Sequence, residues 1–216
     1  RLFSLVGACT GLNDKRLRKL GLSHKAVHLH PSHHVGYYPG AKGIAMKLLF
    51  DPGSGRIYGA QAVGEKDVEK RIDVIATAIM GGMTVDDLAQ VELCYAPPFG
   101  AAKDPVNLAG MAAENIRHGL VDVVQWSDVE SLDPARDFIL DVRDPGEVAR
   151  GGLDGGVNIP LGQLRDRLGE LPRDKRIVVH CQSGQRSYNA TRILLQSGFR
   201  AVNLSGSMLT WNAMKR

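Results

Sequence analysis

The stretch RIVVHCQSGQRSYNATRILLQSG, residues 176–198, decides how the second half of the chain folds. A short apolar run leads into a polar loop, and the loop opens into a run with helical periodicity. This order predicts a strand, a tight loop and a helix. Cys181 is the first residue of the loop. Because ligands of open parallel sheets bind beyond the carboxyl ends of the strands, we expect a functional site here.

The chemistry of this loop follows from its position. Its backbone N–H groups and the N-terminus of the next helix should face the Cys181 thiol and stabilise the thiolate. Arg186 adds a fixed positive charge at the far end. We therefore expect a reactive, partly exposed thiolate among hydrogen-bond donors. The alternative is a buried structural thiol, since free cysteine is often found in cores.

The rest of the second half alternates short β runs with helical runs. The predicted strands are residues 138–142, 156–160, 177–180 and 201–204, and the predicted helices lie in PGEVAR, LGQLRDRLGEL, SYNATRILLQ and SMLTWNAM. This alternation predicts an α/β domain with a parallel sheet and helices on both faces. The alternating pattern begins at roughly residues 118–123, so we divide the chain into residues 1–118 and 119–216.

The first half has mixed α and β signals. Two β-rich runs, residues 43–50 and 56–64, flank the turn sequence DPGSG and predict a hairpin. Five apolar residues at helical spacing predict a helix after the hairpin: Val68, Ile72, Ile75, Ile79 and Met83. TVDD, residues 84–87, is a capping pattern for a short helix. Asp104 followed by Pro105 begins another helix that runs to about Arg117. The two prolines of YAPPFGA, residues 95–101, exclude regular structure there.

Composition limits the classes of function. The chain has 216 residues, 44% hydrophobic and 23% charged, with a net charge of +4 and three cysteines. The basic residues are scattered, so we expect no nucleic-acid partner. No apolar run reaches the length of a membrane span, and the few distant cysteines favour a reducing cytoplasm. The histidines of residues 28–34 lack a carboxylate or cysteine to complete a ligand set, so we expect no metal site.

Loop length separates two chemistries of a reactive cysteine. Four residues lie between Cys181 and Arg186. Cysteine-dependent protein phosphatases use a loop that is one residue longer and wide enough for phosphate. The shorter loop favours a persulfide, a single extra sulfur on the cysteine. A small phosphatase or arsenate reductase stays open as an alternative, as does a non-catalytic binding module.

Three segments together resemble a single rhodanese (sulfurtransferase) domain over about 95 residues: LDVRDPGEVARGGLDGGVNIPLGQL, IVVHCQSGQRSYNATRILLQSGF and VNLSGSMLTW. The resemblance implies that Cys181 accepts sulfane sulfur and passes it to a thiol or cyanide. It assigns Asp141 and Arg143 as a supporting pair at a strand end. It assigns the loop around the persulfide to Gln182, Ser183, Gly184, Gln185, Arg186 and Ser187. One departure concerns Gly152, where many rhodanese domains have histidine, and it puts the local packing in doubt.

The first half contains no nucleophile with a base and no dinucleotide fingerprint. Its strings HVGYYPGA, RIYGAQAVG, EKRIDVIATAI and ELCYAPPFGAAKDPVNLAG resemble the dimerisation domain of pyridine nucleotide-disulfide oxidoreductases, closest to the coenzyme A-disulfide and persulfide or polysulfide reductases. The resemblance implies an α+β domain of a homodimer. FAD, NAD(P)H and a redox cysteine would belong to domains outside this chain, so we expect no cofactor wholly bound within it, with coenzyme A as a further candidate ligand.

In that family two tyrosines face the redox cysteine of the partner subunit, a role the resemblance transfers to Tyr37 and Tyr95. Their phenol groups could donate hydrogen bonds to a thiolate or a leaving sulfur. The alternative is aromatic packing in a core or interface. The expected substrates of the complete enzyme are sulfane sulfur or a persulfide or disulfide linked to coenzyme A.

Overall fold

The computed structural model describes residues 1–215 and divides the chain into two compact units. Unit 1 is Arg1–His118, and unit 2 begins at Gly119. Each unit has hydrophobic clusters of its own. Within residues 1–215 no helix has both the length and the apolar surface that crossing a bilayer requires.

Unit 1 is built on a four-stranded antiparallel sheet in the order β1-β4-β3-β2. The strands are β1 (Val6–Gly11), β2 (Lys25–Leu29), β3 (Ile44–Phe50) and β4 (Ile57–Gly64). The predicted hairpin is confirmed as β3 and β4. Its turn is fixed by the Asp51 carboxylate, which accepts hydrogen bonds from the N–H groups of Gly53 and Ser54.

Three of the four helices of unit 1 were predicted from periodicity and capping. They are α2 (Val68–Met80), α3 (Val85–Gln90) and α4 (Pro105–Arg117), and α1 is Asp14–Lys19. The apolar stripe of α2 packs on the sheet together with residues of α3 and α4. Thr84 and Asp104 cap α3 and α4 as predicted. Met83 lies beyond the end of α2, because the chain leaves the helix at Gly81 and Gly82.

Strands β1 and β2 and helix α1 were not predicted. β1 has the sequence VGACTG, and its side chains are only half-buried or exposed. α1 has six residues, five of them charged, and buries only Leu17. Such short polar elements lack a strong periodic signal, and tertiary pairing decides their structure.

Unit 2 contains a five-stranded parallel sheet in the order β5-β9-β8-β6-β7. The strands are β5 (Val123–Val124), β6 (Asp137–Asp141), β7 (Val157–Asn158), β8 (Arg176–His180) and β9 (Ala201–Leu204). The helices are α5 (Pro145–Val148), α6 (Gln185–Gln196) and α7 (Ser207–Met214). The central strand is β8, which carries Cys181 at its carboxyl end.

The predicted helices on both faces of this sheet are confirmed by the direction of neighbouring side chains. Ile177 and Val179 point into a cluster with Leu194 of α6. Val178, between them, points into a second cluster with Trp211 of α7. The period of two along a strand therefore divides the core into two layers.

One predicted helix of unit 2 is wrong. Residues 161–171 form two short 3-10 turns, Leu161–Gln163 and Leu168–Glu170. Gly162 and Gly169 lie within this segment, and glycine costs about 1 kcal/mol in a helix interior. The apolar spacing is kept, and Leu164 packs into the core.

Candidate active site

The loop after β8 is shaped by helix α7. The N–H groups of Met208 and Leu209 donate to the carbonyl oxygens of Cys181 and Gln182, at 3.2 and 2.9 Å. With these carbonyls turned towards α7, loop N–H groups are left to face the sulfur. The Gly184 N–H lies 3.2 Å from Sγ of Cys181. Gly184 has φ +104°, a conformation that side chains disfavour, so glycine is required at this corner.

The pKa of the Cys181 thiol is lowered. Burial by itself raises it, but the hydrogen bond from the Ser187 hydroxyl and those from the backbone N–H groups of Ser187, Gly184 and Ser183 act in the opposite direction and prevail. The Ser187 Oγ lies 3.4 Å from Sγ. The predicted effect of the loop on the thiol is therefore present, and it comes mainly from neutral donors.

The expected partial exposure of Cys181 is wrong, because the residue is 0% exposed. The side chain lies in the core cluster that includes Leu140, Ala190 and Leu194, and the donors of its own loop surround the sulfur. Of the remaining loop residues, Gln182, Ser183, Gly184 and Arg186 are half-buried, Gln185 is exposed and Ser187 is buried. The burial is that of a core cysteine, but the donors around the sulfur are those of a stabilised thiolate.

Ser207 is part of this site and was not among the predicted residues. Its Oγ accepts a hydrogen bond from the Cys181 N–H at 3.1 Å and lies 3.1 Å from Oγ of Ser187. Ser207 has φ +48°, unusual for a residue with a side chain. A chain of two hydroxyls thus leads from Ser207 through Ser187 to the sulfur. No local sequence signal marks Ser207, which is 26 positions from Cys181.

Arg186 does not offer a free positive charge. Its guanidinium forms a bidentate pair with Glu147 of α5, at 2.6 and 2.7 Å. Hydrogen bonds from Arg186 are the main reason that the pKa of Glu147 falls to about 2. The Arg186 charge lies at the end of the loop and interacts with Cys181, but it is shared with Glu147, and this ion pair also joins α5 to α6. Glu147 was missed because nothing in the sequence places it opposite Arg186.

Asp141 and Arg143 form a buried pair at the end of β6. Arg143 donates from Nη2 to Oδ2 of Asp141 at 2.7 Å and to the Gly151 carbonyl at 2.8 Å. A Cβ atom at Gly152 would lie 3.2 Å from the same nitrogen, so the guanidinium fills the space where a side chain would lie. Asn158 donates to the carbonyls of both paired residues, at 2.9 Å each. The pair thus fixes the connection between β6 and β7, which contains α5.

His180 ends strand β8, as predicted. It is fully buried, and its Nε2 lies 3.8 Å from Oδ2 of Asp141. Burial lowers its pKa to about 4, so the imidazole is neutral near pH 7.

The structure brings Tyr37 and Tyr95 of unit 1 together. Their hydroxyl oxygens are 3.1 Å apart, although 58 positions separate the residues. The rings are 76% and 48% exposed, which excludes packing in the core of this unit. The hydrogen bond to Tyr37 is the main reason that the pKa of Tyr95 is raised.

One group of potential metal ligands occurs among the described residues: Asp86, Glu114 and His118. Arg117 Nη1 lies 2.9 Å from a carboxylate oxygen of Asp86, and His118 Nε2 lies 2.8 Å from the other. The carboxylate thus already has basic side chains as partners.

Comparison with known families assigns both units. The dimerisation domain of pyridine nucleotide-disulphide oxidoreductases matches residues 2–105, and the rhodanese-like domain matches residues 125–214. The chain therefore consists of a pyridine nucleotide-disulphide oxidoreductase dimerisation domain followed by a rhodanese-like domain.

Three similar proteins show more closely which enzymes the chain is related to. It is 46% identical to reduced CoADR-RHD from Bacillus anthracis, with a TM-score of 0.96, covering 98% of this chain and 38% of that one. It is 40% identical to the NAD-dependent persulfide reductase from A. fulgidus, with a TM-score of 0.87 and the same coverage. The coenzyme A disulfide reductase of Staphylococcus haemolyticus is 34% identical over 116 residues, 54% of this chain and 26% of the relative. The chain thus spans about a quarter of that relative's length.

Proposed function

We propose that unit 2 transfers sulfane sulfur through a persulfide on Cys181. The observation that carries this proposal is the set of donors around Sγ: the Ser187 hydroxyl and the N–H groups of Ser183, Gly184 and Ser187. These donors stabilise a sulfur anion, whether it is the thiolate or the persulfide. The rhodanese-like assignment of residues 125–214 supports the same chemistry.

The reaction balances without an external oxidant or reductant. The Cys181 thiolate attacks the outer sulfur of a donor such as thiosulfate, a new S–S bond forms, the donor's S–S bond breaks, and sulfite leaves with the electron pair. A nucleophile such as cyanide then attacks the outer sulfur of the persulfide. Thiocyanate forms, and the Cys181 thiolate is regenerated.

We propose further that this transfer serves a larger reductase. The names of the relatives support a substrate that is a persulfide or a disulfide of coenzyme A. FAD and NAD(P)H would be held by domains outside this chain and would supply the reducing electrons. The paired hydroxyls of Tyr37 and Tyr95 would donate to a leaving sulfur at the partner subunit's redox cysteine. A reducing compartment such as the cytoplasm would keep Cys181 in its thiol form.

A thiosulfate:cyanide sulfurtransferase assay tests the proposal on unit 2. We expect thiocyanate formation by the wild-type chain, with a mass gain of one sulfur atom on Cys181, and loss of both in Cys181→Ser. Matched controls are Cys9→Ser and Cys94→Ser, because both cysteines are exposed and lie in unit 1. A wild-type chain that forms neither thiocyanate nor persulfide contradicts the proposal. Aryl-phosphate hydrolysis that depends on Cys181 would favour the phosphatase alternative instead.

A further inference from the structure

Arg71 is an unusual residue in unit 1, because it is a full positive charge that is only 1% exposed. It lies in the first turns of α2, on the face that packs towards the unit. A charge removed from water must be matched by close partners, or the fold is strongly destabilised. The partners of Arg71 are therefore informative.

The guanidinium binds two segments that are far apart in the sequence. Its Nη2 donates to the His33 carbonyl at 2.6 Å and to Oδ2 of Asp104 at 2.8 Å. Its Nε adds a longer bond of 3.4 Å to Oδ1 of Asp104, and Nη1 donates to the Asp67 carbonyl at 3.1 Å. Asp104 is also the N-cap of α4. One side chain thus joins the residues around His33 to the start of α4.

These two segments carry the tyrosine pair. Residues 30–43 connect β2 to β3 and include Tyr37, and residues 91–104 connect α3 to α4 and include Tyr95. Neither segment contains a helix or a strand. An isolated antiparallel bridge between Ser32 and Gly43 closes the base of the first segment, and it does not reach Tyr37. One further backbone bond joins them, from the Val35 N–H to the Gly100 carbonyl at 3.0 Å. Both hydroxyls are exposed, so packing does not hold them together.

We propose that Arg71 is a positioning residue for the Tyr37–Tyr95 pair, because it ties both tyrosine-bearing segments to helix α2. The inference rests on the proposed function only for what the tyrosine pair does in the enzyme. The contacts of Arg71 do not depend on that function. The planar fork of arginine matters, since a lysine ammonium cannot bind a carboxylate side-on and a carbonyl at the same time with this geometry. A buried pair of this kind contributes to specific geometry more than to net stability.

The hydrogen bond between the tyrosines affects the pKa of Tyr95, and a change in stability alone would not alter this pKa. The pKa of Tyr95, followed by NMR of tyrosine labelled at the phenol carbon, should lie above its ordinary value in the wild-type chain. Tyr37→Phe removes the bond and should lower it. We expect Arg71→Lys to lower the pKa of Tyr95 in the same direction while the chain stays folded. Arg18→Lys, at an exposed arginine of α1, is the matched control and should leave it unchanged.

A second variant keeps the test decisive if Arg71→Lys does not fold. The double variant Arg71→Met with Asp104→Asn removes both buried charges and retains an N-cap side chain, so it avoids an unpaired carboxylate. A folded variant of either kind in which the pKa of Tyr95 equals the wild-type value overturns the inference. Failure of the sulfurtransferase assay, with the pKa responding as expected, would overturn the proposed function and leave the role of Arg71 intact.

Discussion

At the residue scale, Ser207 combines a strained backbone with a useful side chain. Its φ of +48° costs about 1–2 kcal/mol for a residue with a Cβ atom, but its hydroxyl binds the Cys181 N–H. Ser207→Gly removes the hydroxyl and the strain, whereas Ser207→Ala removes only the hydroxyl. We predict that the glycine variant is more stable than the alanine variant by about 1 kcal/mol in urea unfolding.

Both Ser207 variants should also slow alkylation of Cys181 by iodoacetamide at pH 7. The reason is that the hydroxyl chain through Ser187 is cut in each case. The prediction thus separates stability from thiol chemistry, since the two variants differ in the first and agree in the second. Equal stability of the two variants, or unchanged alkylation, would contradict it.

Ser187 should determine how the reactivity of Cys181 depends on pH. Ser187→Ala removes the largest of the interactions that lower the pKa of the Cys181 thiol, so this pKa should rise. Alkylation should become slower near pH 7 and approach the wild-type rate at alkaline pH. Because the folded thiol pKa is depressed, the stability that ionisation contributes is complete above the ordinary thiol pKa and is lost as pH falls through the folded value.

The rate of alkylation measured across pH checks this prediction. Ser127→Ala is a suitable control, because Ser127 is exposed and lies in the same unit. An identical pH midpoint in Ser187→Ala and the wild type would show that the serine hydroxyl does not act on the sulfur.

Sequence reasoning could reach part of this site. The strand, loop and helix around Cys181 follow from local periodicity, and the spacing to Arg186 can be read directly. Burial of the sulfur could not be predicted, because Cys181 packs in a core cluster with Leu140 of β6 and Leu194 of α6, which only the folded sheet brings together. The pairing of Arg186 with Glu147 was also out of reach, since 39 positions separate them. Contacts of this range depend on the topology of the sheet.

At the scale of elements, the pair between Glu147 and Arg186 joins α5 to the first turn of α6. Glu147→Gln should destabilise unit 2 by about 1–2 kcal/mol at neutral pH, allowing for solvent screening of this partly exposed pair. The pKa of Glu147 is lowered from 4.5 to about 2, so its contribution is complete above pH 4.5 and is lost as pH falls towards 2. The difference between variant and wild type should therefore vanish in that range.

Denaturant unfolding at several pH values tests the Glu147 prediction. Glu170→Gln is the matched control, because Glu170 forms a similar two-bond pair with Arg167 in an exposed setting. We expect a smaller effect in the control, because solvent screens the exposed Glu170–Arg167 pair more strongly. Glu147→Gln should also lower the pKa of the Cys181 thiol further, since the Arg186 charge, no longer offset by Glu147, then acts more strongly on the sulfur. A destabilisation that persists at pH 2 would contradict the assigned role.

Elements with strong local signals were predictable, and those without were not. The stripe of α2 and the caps Thr84 and Asp104 gave three helices of unit 1 close to their observed bounds. β1 was not predicted because its glycines, alanine and threonine show little alternation between apolar and polar residues. Residues 161–171 have helical spacing, but they form only 3-10 turns, and Gly162 and Gly169 lower the helix propensity of the segment.

At the scale of the whole molecule, the two units have separate hydrophobic cores, so we predict that each unit folds and functions without the other. Residues 119–216 expressed alone should fold and transfer sulfur at a rate comparable to that of the whole chain, because the Cys181 loop draws its contacts from unit 2. Because unit 1 matches a dimerisation domain, residues 1–118 expressed alone should self-associate, which analytical ultracentrifugation would detect. A folded 119–216 fragment without activity would mean that unit 1 completes the site.

The two-domain organisation was predictable because the change from hairpin to alternating β and α runs is a property of the sequence itself. The tyrosine pair was assigned by resemblance, and local pattern gave no reason to bring Tyr37 near Tyr95. Their contact depends on Arg71, whose burial no charge pattern indicates.

The hydrogen bonds from α7 to the Cys181 loop also have a consequence for biosynthesis. The residues that turn the loop carbonyls away from the sulfur, Met208 and Leu209, are translated after the loop itself. At an elongation speed of about 5–20 residues per second, this interval of almost thirty codons lasts roughly one to six seconds. During that interval the carbonyls of Cys181 and Gln182 lack their α7 donors, so the loop can take its final shape only after α7 has been synthesised.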